Sequence, residues 1–507
     1  MRRLHVLLLG ALLMVSLSAV RWSPGAAFAA PRSVLRVAIP VLPRTLDPNV
    51  DSSLVHFKVW HLLYDTLVAV DASGKAEPRL ATAWRILSPT TWEFKLRRGV
   101  KFHNGEDFDA EAVRATLSYI LDPASRSTWA QRFTLIADVK MVDPYTVQII
   151  TTQPFPLLAK TLAVAFILPP KYLAKAGAGK FGLTPVGTGP FRVRAFRSDE
   201  YAQFEAFGGY WGAKPKVASV LMRQIREASG RTAGLEAGEI DIAYEISVEQ
   251  VERLRSRNLN VVASVVGASY LVNLKTMVKP LDDARVRRAL NYATDATAIN
   301  NALLLGLSRP LQGQMVGPNS TGFNPAIKAY PYDPERARQL LSEAGYPNGF
   351  RITFEGSNGR FYKDKEIAET VCAQWAKVRV TCDLVLLESN VWLQHLVSGV
   401  LGPVSAAPWQ TAPQLDLEVP VTNFLSTGPR KMASIPAIDE WFAQQRGTMN
   451  PVQRLYYLHK LAEVIYEEAP VVFLFENIGA YALSPKVGGA RFRPDYSFDP
   501  VAINLGD

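Results

Sequence analysis

The chain has 507 residues, 48% of them apolar and 20% charged, with a formal net charge of +10. This length and apolar content exclude a disordered chain and predict several domains with sizeable cores. Basic residues occur singly or in pairs such as Arg97-Arg98 and Arg287-Arg288, so no nucleic-acid-binding stripe forms, and two cysteines are too few for a disulfide framework or a four-thiolate zinc site.

At the start, Arg2 and Arg3 precede an apolar run from Leu4 to Val20, and Ala27, Phe28 and Ala29 lead to a processing point before Ala30. This predicts a cleaved secretory signal peptide over residues 1–29. Arg2, Arg3 and Arg21 leave with it, taking the net charge from +10 to +7. No cysteine stands at the cleavage point to carry a lipid. The later apolar run Leu162 to Leu168 ends at Pro169-Pro170 and is too short to cross a bilayer. The expected product is a soluble protein of the periplasm.

A strand is predicted over Val34–Ile39, followed by an Asp47-Pro48 turn and a helix over residues 55–67. Trp92, Phe94 and Leu96 then alternate with Glu93, Lys95 and Arg97, which predicts a strand with one buried and one solvated face. Asn104-Gly105 supplies a turn, Asp109 a helix cap, and Val113, Leu117, Ile120 and Leu121 one apolar stripe. Val186 to Phe191 reads VGTGPF, which forces a sharp backbone path but lacks the residues of a nucleotide loop. Further on, Ser269 opens a strand, and the helix after it carries Val286, Ala289, Leu290 and Ala293 on one face. Asp333 and Pro334 start a helix that Gly345 and Pro347 stop. Ile367, Val371 and Trp375 mark another helix before a strand with Val380, Cys382 and Leu384. Cys372 and Cys382 thus share a helix–sheet seam, as one disulfide or as two buried thiols. A last helix with Leu455, Leu458, Ala462 and Ile465 gives way at Pro470 to a strand over 471–475.

No nucleophile elbow, no H-E-x-x-H helix and no metal spacing among the six histidines is present. No catalytic residue, metal ligand or cofactor is therefore assigned. His103, beside the Asn104-Gly105 turn, reads as a surface or hydrogen-bonding residue rather than a general base.

The Trp92 strand, the R-G-V-K-F step ending at Phe102, the N-G-E-x-F turn, VGTGPF, the Ser269 to Asp295 block, the Tyr332 to Phe350 block and the A-P-V-V-F-L-F ending occur in an order that resembles the extracytoplasmic solute-binding proteins, family 5, of peptide- and nickel-type ABC importers. The resemblance spans nearly all of the mature chain. It implies an α/β, two-lobed periplasmic-binding-protein fold of the cluster C type, with three domains, mixed sheets and a ligand cleft between the lobes. Domain I would use residues 30–54, 186–268 and 478–507, domain II would be inserted at 55–185, and domain III would run over 269–477. The implied function is capture of a peptide or peptide-like solute by lobe closure, without catalysis, and delivery to the transmembrane subunits of an ABC permease by a monomer. A secreted hydrolase with carboxylates in a cleft and a non-transport receptor or scaffold stand as the alternatives.

The same resemblance nominates ligand contacts. Arg360, in GSNGRFYKD, matches the position where dipeptide-binding relatives hold a ligand carboxylate, and its paired donors suit that group. Trp409 matches the family's cleft tryptophan. Relatives carry an aspartate just after it for the ligand's amino terminus, whereas this chain has Gln410, Thr411 and Ala412, and the first acid is Asp416. That departure leaves open a ligand without a free ammonium. Tyr270, Asn273 and Asp47 are the supporting nominations.

Overall fold

Two strands far longer than their neighbours, Asn260–Leu274 and Val471–Leu483, run antiparallel through the middle of the molecule. Their pairing slips between Val265 and Ser269 and again between Tyr270 and Leu271, so the sheet bends where it passes from one part of the chain to the next. The computed structural model describes residues 33–51, 53–430 and 432–506, and the expected signal peptide lies outside them. Among the described residues no helix is long and apolar enough to cross a membrane.

The two long strands belong to a ten-stranded mixed sheet. On one side of them follow Val404–Gln410, Phe350–Asn358 and the edge strand Val380–Glu388. On the other side follow Ile242–Tyr244, Val34–Ile39, Ser219–Gln224, Tyr201–Ala206 and the edge strand Phe191–Arg197. A separate four-stranded antiparallel sheet, in the order Ala81–Ser88, Thr91–Leu96, Thr146–Thr151, Ile136–Asp143, lies wholly within the segment expected to be inserted. The partitions expected at 268/269 and 477/478 fall inside the two long strands.

Local chemistry explains the elements. The Asp109 carboxylate accepts from the Glu111 and Ala112 amides and starts the helix Ala110–Leu121, whose Val113, Leu117 and Ile120 are buried. Asp333 caps Pro334–Glu343 through the Arg336 amide. The helix expected over 55–67 is shorter: a 3-10 turn over Leu54–His56 leads into Phe57–Leu63, and Tyr64 is extended. The reason is tertiary. The Leu63 carbonyl accepts from the Gly189 amide, and the Leu67 carbonyl accepts from Arg79 and Ala81, so both are used in sheet-like pairing. The face expected to be solvated on Thr91–Leu96 is also only partly so. Glu93 is buried, accepting from Arg85 at 2.8 Å and from Gln148 at 3.0 Å.

VGTGPF passes the end of the Phe57–Leu63 helix. A Cβ at Gly187 or Gly189 would collide with the Leu63 or Leu62 carbonyl oxygen, which accounts for both glycines. His103 staples this passage. Its amide donates to the Gly187 carbonyl at 2.9 Å, its Nδ1 accepts from the Gly187 amide at 3.2 Å, and Nε2–H donates to the Gly189 carbonyl at 3.0 Å. Burial lowers its pKa to about 4, so the ring is neutral at physiological pH. His103 is the hydrogen-bonding residue of the two readings.

Cys372 and Cys382 are joined in a disulfide, with Cα atoms 5.6 Å apart, across the seam between the helix Asp364–Ala376 and the strand Val380–Glu388. Beside it Trp375 is fully buried and donates from Nε1 to Thr294 Oγ1 at 2.9 Å.

Two predictions follow from these links. The unfolded His103 ring takes up a proton near pH ~6.5 and the folded ring only near 4, so the stability it contributes is present above pH ~6.5 and lost as pH falls towards 4. His103→Asn should lower urea stability at neutral pH by about 1–2 kcal/mol and flatten the decline over that window. Replacing both cysteines by serine should cost about 2–3 kcal/mol in the same measurement.

Candidate functional site

A cavity of about 600 Å³ opens between residues of the stretch 128–161 and residues of the stretch 410–446. This lies within the ~300–1,000 Å³ range of small-molecule sites. From one side it is lined by Thr128, Gln131, Arg132, Phe155 and Thr161, and from the other by Gln410, Gln414, Asn423, Arg430 and Arg446, with Glu418 as the carboxylate among its described lining residues. Arg132 sits in the short helix Ala130–Phe133, with its guanidinium 5.3 Å from the Trp129 ring centre. The two sides meet through Arg132 Nη1, which donates to Gln414 Oε1 at 3.0 Å, and through Lys160 Nζ, which donates to Thr321 Oγ1 at 2.8 Å.

The acids near the cavity are spent on internal bonds. Arg454 is buried on the inner side of the helix Pro451–Glu468, and its Nη1 and Nη2 reach the two Asp416 oxygens at 2.8 and 3.0 Å. Nη2 also meets Glu418 at 3.1 Å, and Arg446 Nε meets the other Glu418 oxygen at 2.7 Å. Burial alone would raise the Asp416 carboxyl, but the charge and hydrogen bonds of Arg454 and the charge of Lys160, 3.9 Å away, hold it below the usual carboxylate range. The inner stripe of this helix is therefore Arg454, Leu458, Leu461, Ala462 and Ile465, and the expected Leu455 is 40% exposed.

Among the described residues Arg132 and Arg430 have no such ionic partner. Burial is the one influence on each: it lowers Arg132 to about 10 and lowers Arg430 from its ordinary value. The Arg430 Nε is buried without a hydrogen-bond partner among the described residues, and its guanidinium lies 5.6 Å from the Trp409 ring centre.

The six nominated residues do not converge on one point. Trp409, on the strand Val404–Gln410, is buried and donates from Nε1 to Asn273 Oδ1 at 2.7 Å, while Asn273 donates to Ser405 Oγ at 3.2 Å. Its neighbour Gln410 reaches the cavity. Tyr270 packs in a different cluster, 5.7 Å from Phe475 and 6.5 Å from Phe361 by ring centres. Arg360 lies 5.6 Å from the Phe361 ring and 5.9 Å from the Trp392 ring, and burial lowers its pKa. The Arg360 Nε, the Tyr270 hydroxyl and the Trp392 Nε1 are all buried without hydrogen-bond partners among the described residues. The Arg360 loop is held by Asp364, which accepts from Ser357 Oγ and from the Gly359, Arg360 and Phe361 amides.

Asp416 and Asp47 are scaffold groups instead. Asp416 is fully buried on Arg454. Asp47, 1% exposed, accepts from the Tyr119 hydroxyl at 2.7 Å and the Asn49 amide at 2.9 Å, with burial raising its pKa. Sequence reading missed Arg132, Arg430, Gln414 and Asn423. Each is an unremarked polar residue in a loop or short helix, and nothing in its neighbours' periodicity distinguishes it.

A cavity of this size lined by two separate parts of one chain suits the binding of a small molecule. Solved structures share this fold. The ABC transporter substrate binding protein CtaP of Listeria monocytogenes superposes with a TM-score of 0.86 at 20% identity, covering 94% of this chain and 100% of that one. The periplasmic binding protein DppA of Helicobacter pylori, in complex with the peptide STSA, gives 0.79 at 24% identity over 94% and 99%. The architecture is thus α/β, two-lobed and multidomain. In sequence, the glutathione-binding protein GsiB of Escherichia coli K12 is 29% identical over 472 residues, 90% of this chain and 91% of the relative. Residues 75–428 match the bacterial extracellular solute-binding proteins, family 5, and the chain belongs to that family. The family is one of extracellular proteins that bind solutes.

Asp416→Asn should lower stability by about 3–5 kcal/mol, since it leaves Arg454 short of a buried counter-charge. The folded carboxyl titrates below the unfolded value of ~3.9, so its contribution is present above that pH and lost as pH falls through the folded value. Acid-unfolding curves followed by circular dichroism should show a shallower acid limb in the variant.

Proposed function

We propose that the protein captures a peptide or peptide-like solute between its lobes, closes on it and presents it to the transmembrane subunits of an ABC permease. It works in the periplasm as a monomer after loss of residues 1–29 and leaves its cargo chemically unchanged. The observation that carries this reading is the cavity lined from both sides and bridged by Arg132 to Gln414 and Lys160 to Thr321. Contacts made across the gap favour the closed form, and a ligand that adds to them shifts the population further.

In this reading domain I comprises 30–54, 186–268 and 478–507, domain II 55–185 and domain III 269–477, with the two long strands as the passages between lobes. Trp409, oriented by Asn273, offers the aromatic wall beneath Arg430. Arg360, Tyr270 and Trp392 are not among the described residues lining that cavity, and their unpaired donors would meet a part of the ligand that extends beyond it. A peptide ligand agrees with the names of the relatives, one of which is called glutathione-binding and another of which holds a peptide.

Native mass spectrometry of the gently purified mature protein tests the reading. One solute per chain should be released on denaturation with its mass unchanged by prolonged incubation. Arg360→Gln should weaken retention about 10-fold or more. An enzyme would return an altered solute, and a scaffold would carry none.

A further inference from the structure

The cavity between the lobes has an excess of positive charge that the protein does not neutralise. Of the charged residues lining it, Arg446 is paired with Glu418, and Glu418 is further bound by Arg454 and by Gln445 Nε2 at 3.1 Å. Arg132 and Arg430 remain without an ion pair among the described residues. They approach from opposite sides, Arg132 from the inserted segment and Arg430 from the segment 269–477. Each is also held in place by an aromatic ring, Trp129 at 5.3 Å and Trp409 at 5.6 Å. Both arginines are half-buried, and a partly desolvated guanidinium without a counter-charge is stabilised by an anion that a ligand supplies. The remaining polar lining is made of amides and hydroxyls, Gln131, Gln410, Gln414 and Asn423 among them, groups that can bond to peptide without adding charge.

From this we infer that the cargo carries two separated acidic groups, one met by Arg132 and the other by Arg430, and that the cavity makes no ion pair with a free ammonium. The nearest carboxylates are engaged: Glu418 by three donors and Asp416 by Arg454 behind the wall. A zwitterionic dipeptide would have to bury its ammonium with neither as a free partner. A dianionic peptide-like molecule would bind both guanidiniums and draw the lobes together, since each lobe contributes one. This assigns the substrate class of the capture site proposed above and rests on that reading.

The test is isothermal titration of dialysed protein with three matched probes: succinyl-Ala-Ala with two carboxylates, acetyl-Ala-Ala with one, and Ala-Ala with one carboxylate and an ammonium. Succinyl-Ala-Ala should bind about 10-fold or more tighter than either of the others. Arg132→Gln and Arg430→Gln should each abolish that preference at unchanged thermal stability, and Arg430→Lys should restore part of it because one charge returns without the paired donors. Equal or tighter binding of Ala-Ala, or a preference that survives both glutamine variants, overturns the inference. If no probe binds while native mass spectrometry finds a neutral or cationic solute in the cavity, the anion assignment falls and the capture reading stands. If no probe binds and no solute is found, both fall.

Discussion

One buried arginine sets the electrostatics of the molecule. Arg454 stands where helical periodicity would place an aliphatic residue, and it draws Asp416 and Glu418 to itself across the base of the cleft. Breaking such a buried pair costs several kcal/mol, because the abandoned charge has no water to turn to. The arrangement therefore fixes the loop after Trp409 against the last long helix. It also engages both acids and, among the described residues, leaves Arg132 and Arg430 at the cavity without an ionic partner.

Much of the fold was legible because local signals agreed with tertiary demand. Asp109 and Asp333 cap the helices they announce, and the apolar stripe at Val286, Ala289, Leu290 and Ala293 is buried. Misreadings arose where a polar residue took an interior place. Glu93 alternates as a solvated residue should, yet Arg85 and Gln148 cover it. Leu455, read as part of the buried stripe, is exposed and its neighbour Arg454 is buried instead, since Asp416 lies 38 positions away in sequence and leaves no mark on the local pattern. The Phe57–Leu63 helix stopped early because its last carbonyl was claimed by Gly189.

The candidate site was less legible than the fold. Trp409 and Arg360 were nominated through resemblance and lie in suggestive surroundings, one beside the cavity and one beside unpaired donors. Asp416 and Asp47 carried the right chemistry but had internal partners that no spacing reveals. Arg132 and Arg430 become notable only through what is missing around them, and the absence of a nearby acid is a property of three-dimensional arrangement.

The neutral imidazole at the neck of the inserted lobe has a mechanical corollary. His103 binds Gly187 and Gly189 where glycine alone fits against Leu62 and Leu63, so the outgoing and returning chain are fastened together at their closest approach. Such a fastened stem resists torsion at that point, because twisting one stretch of the chain past the other would break three hydrogen bonds of a single residue at once.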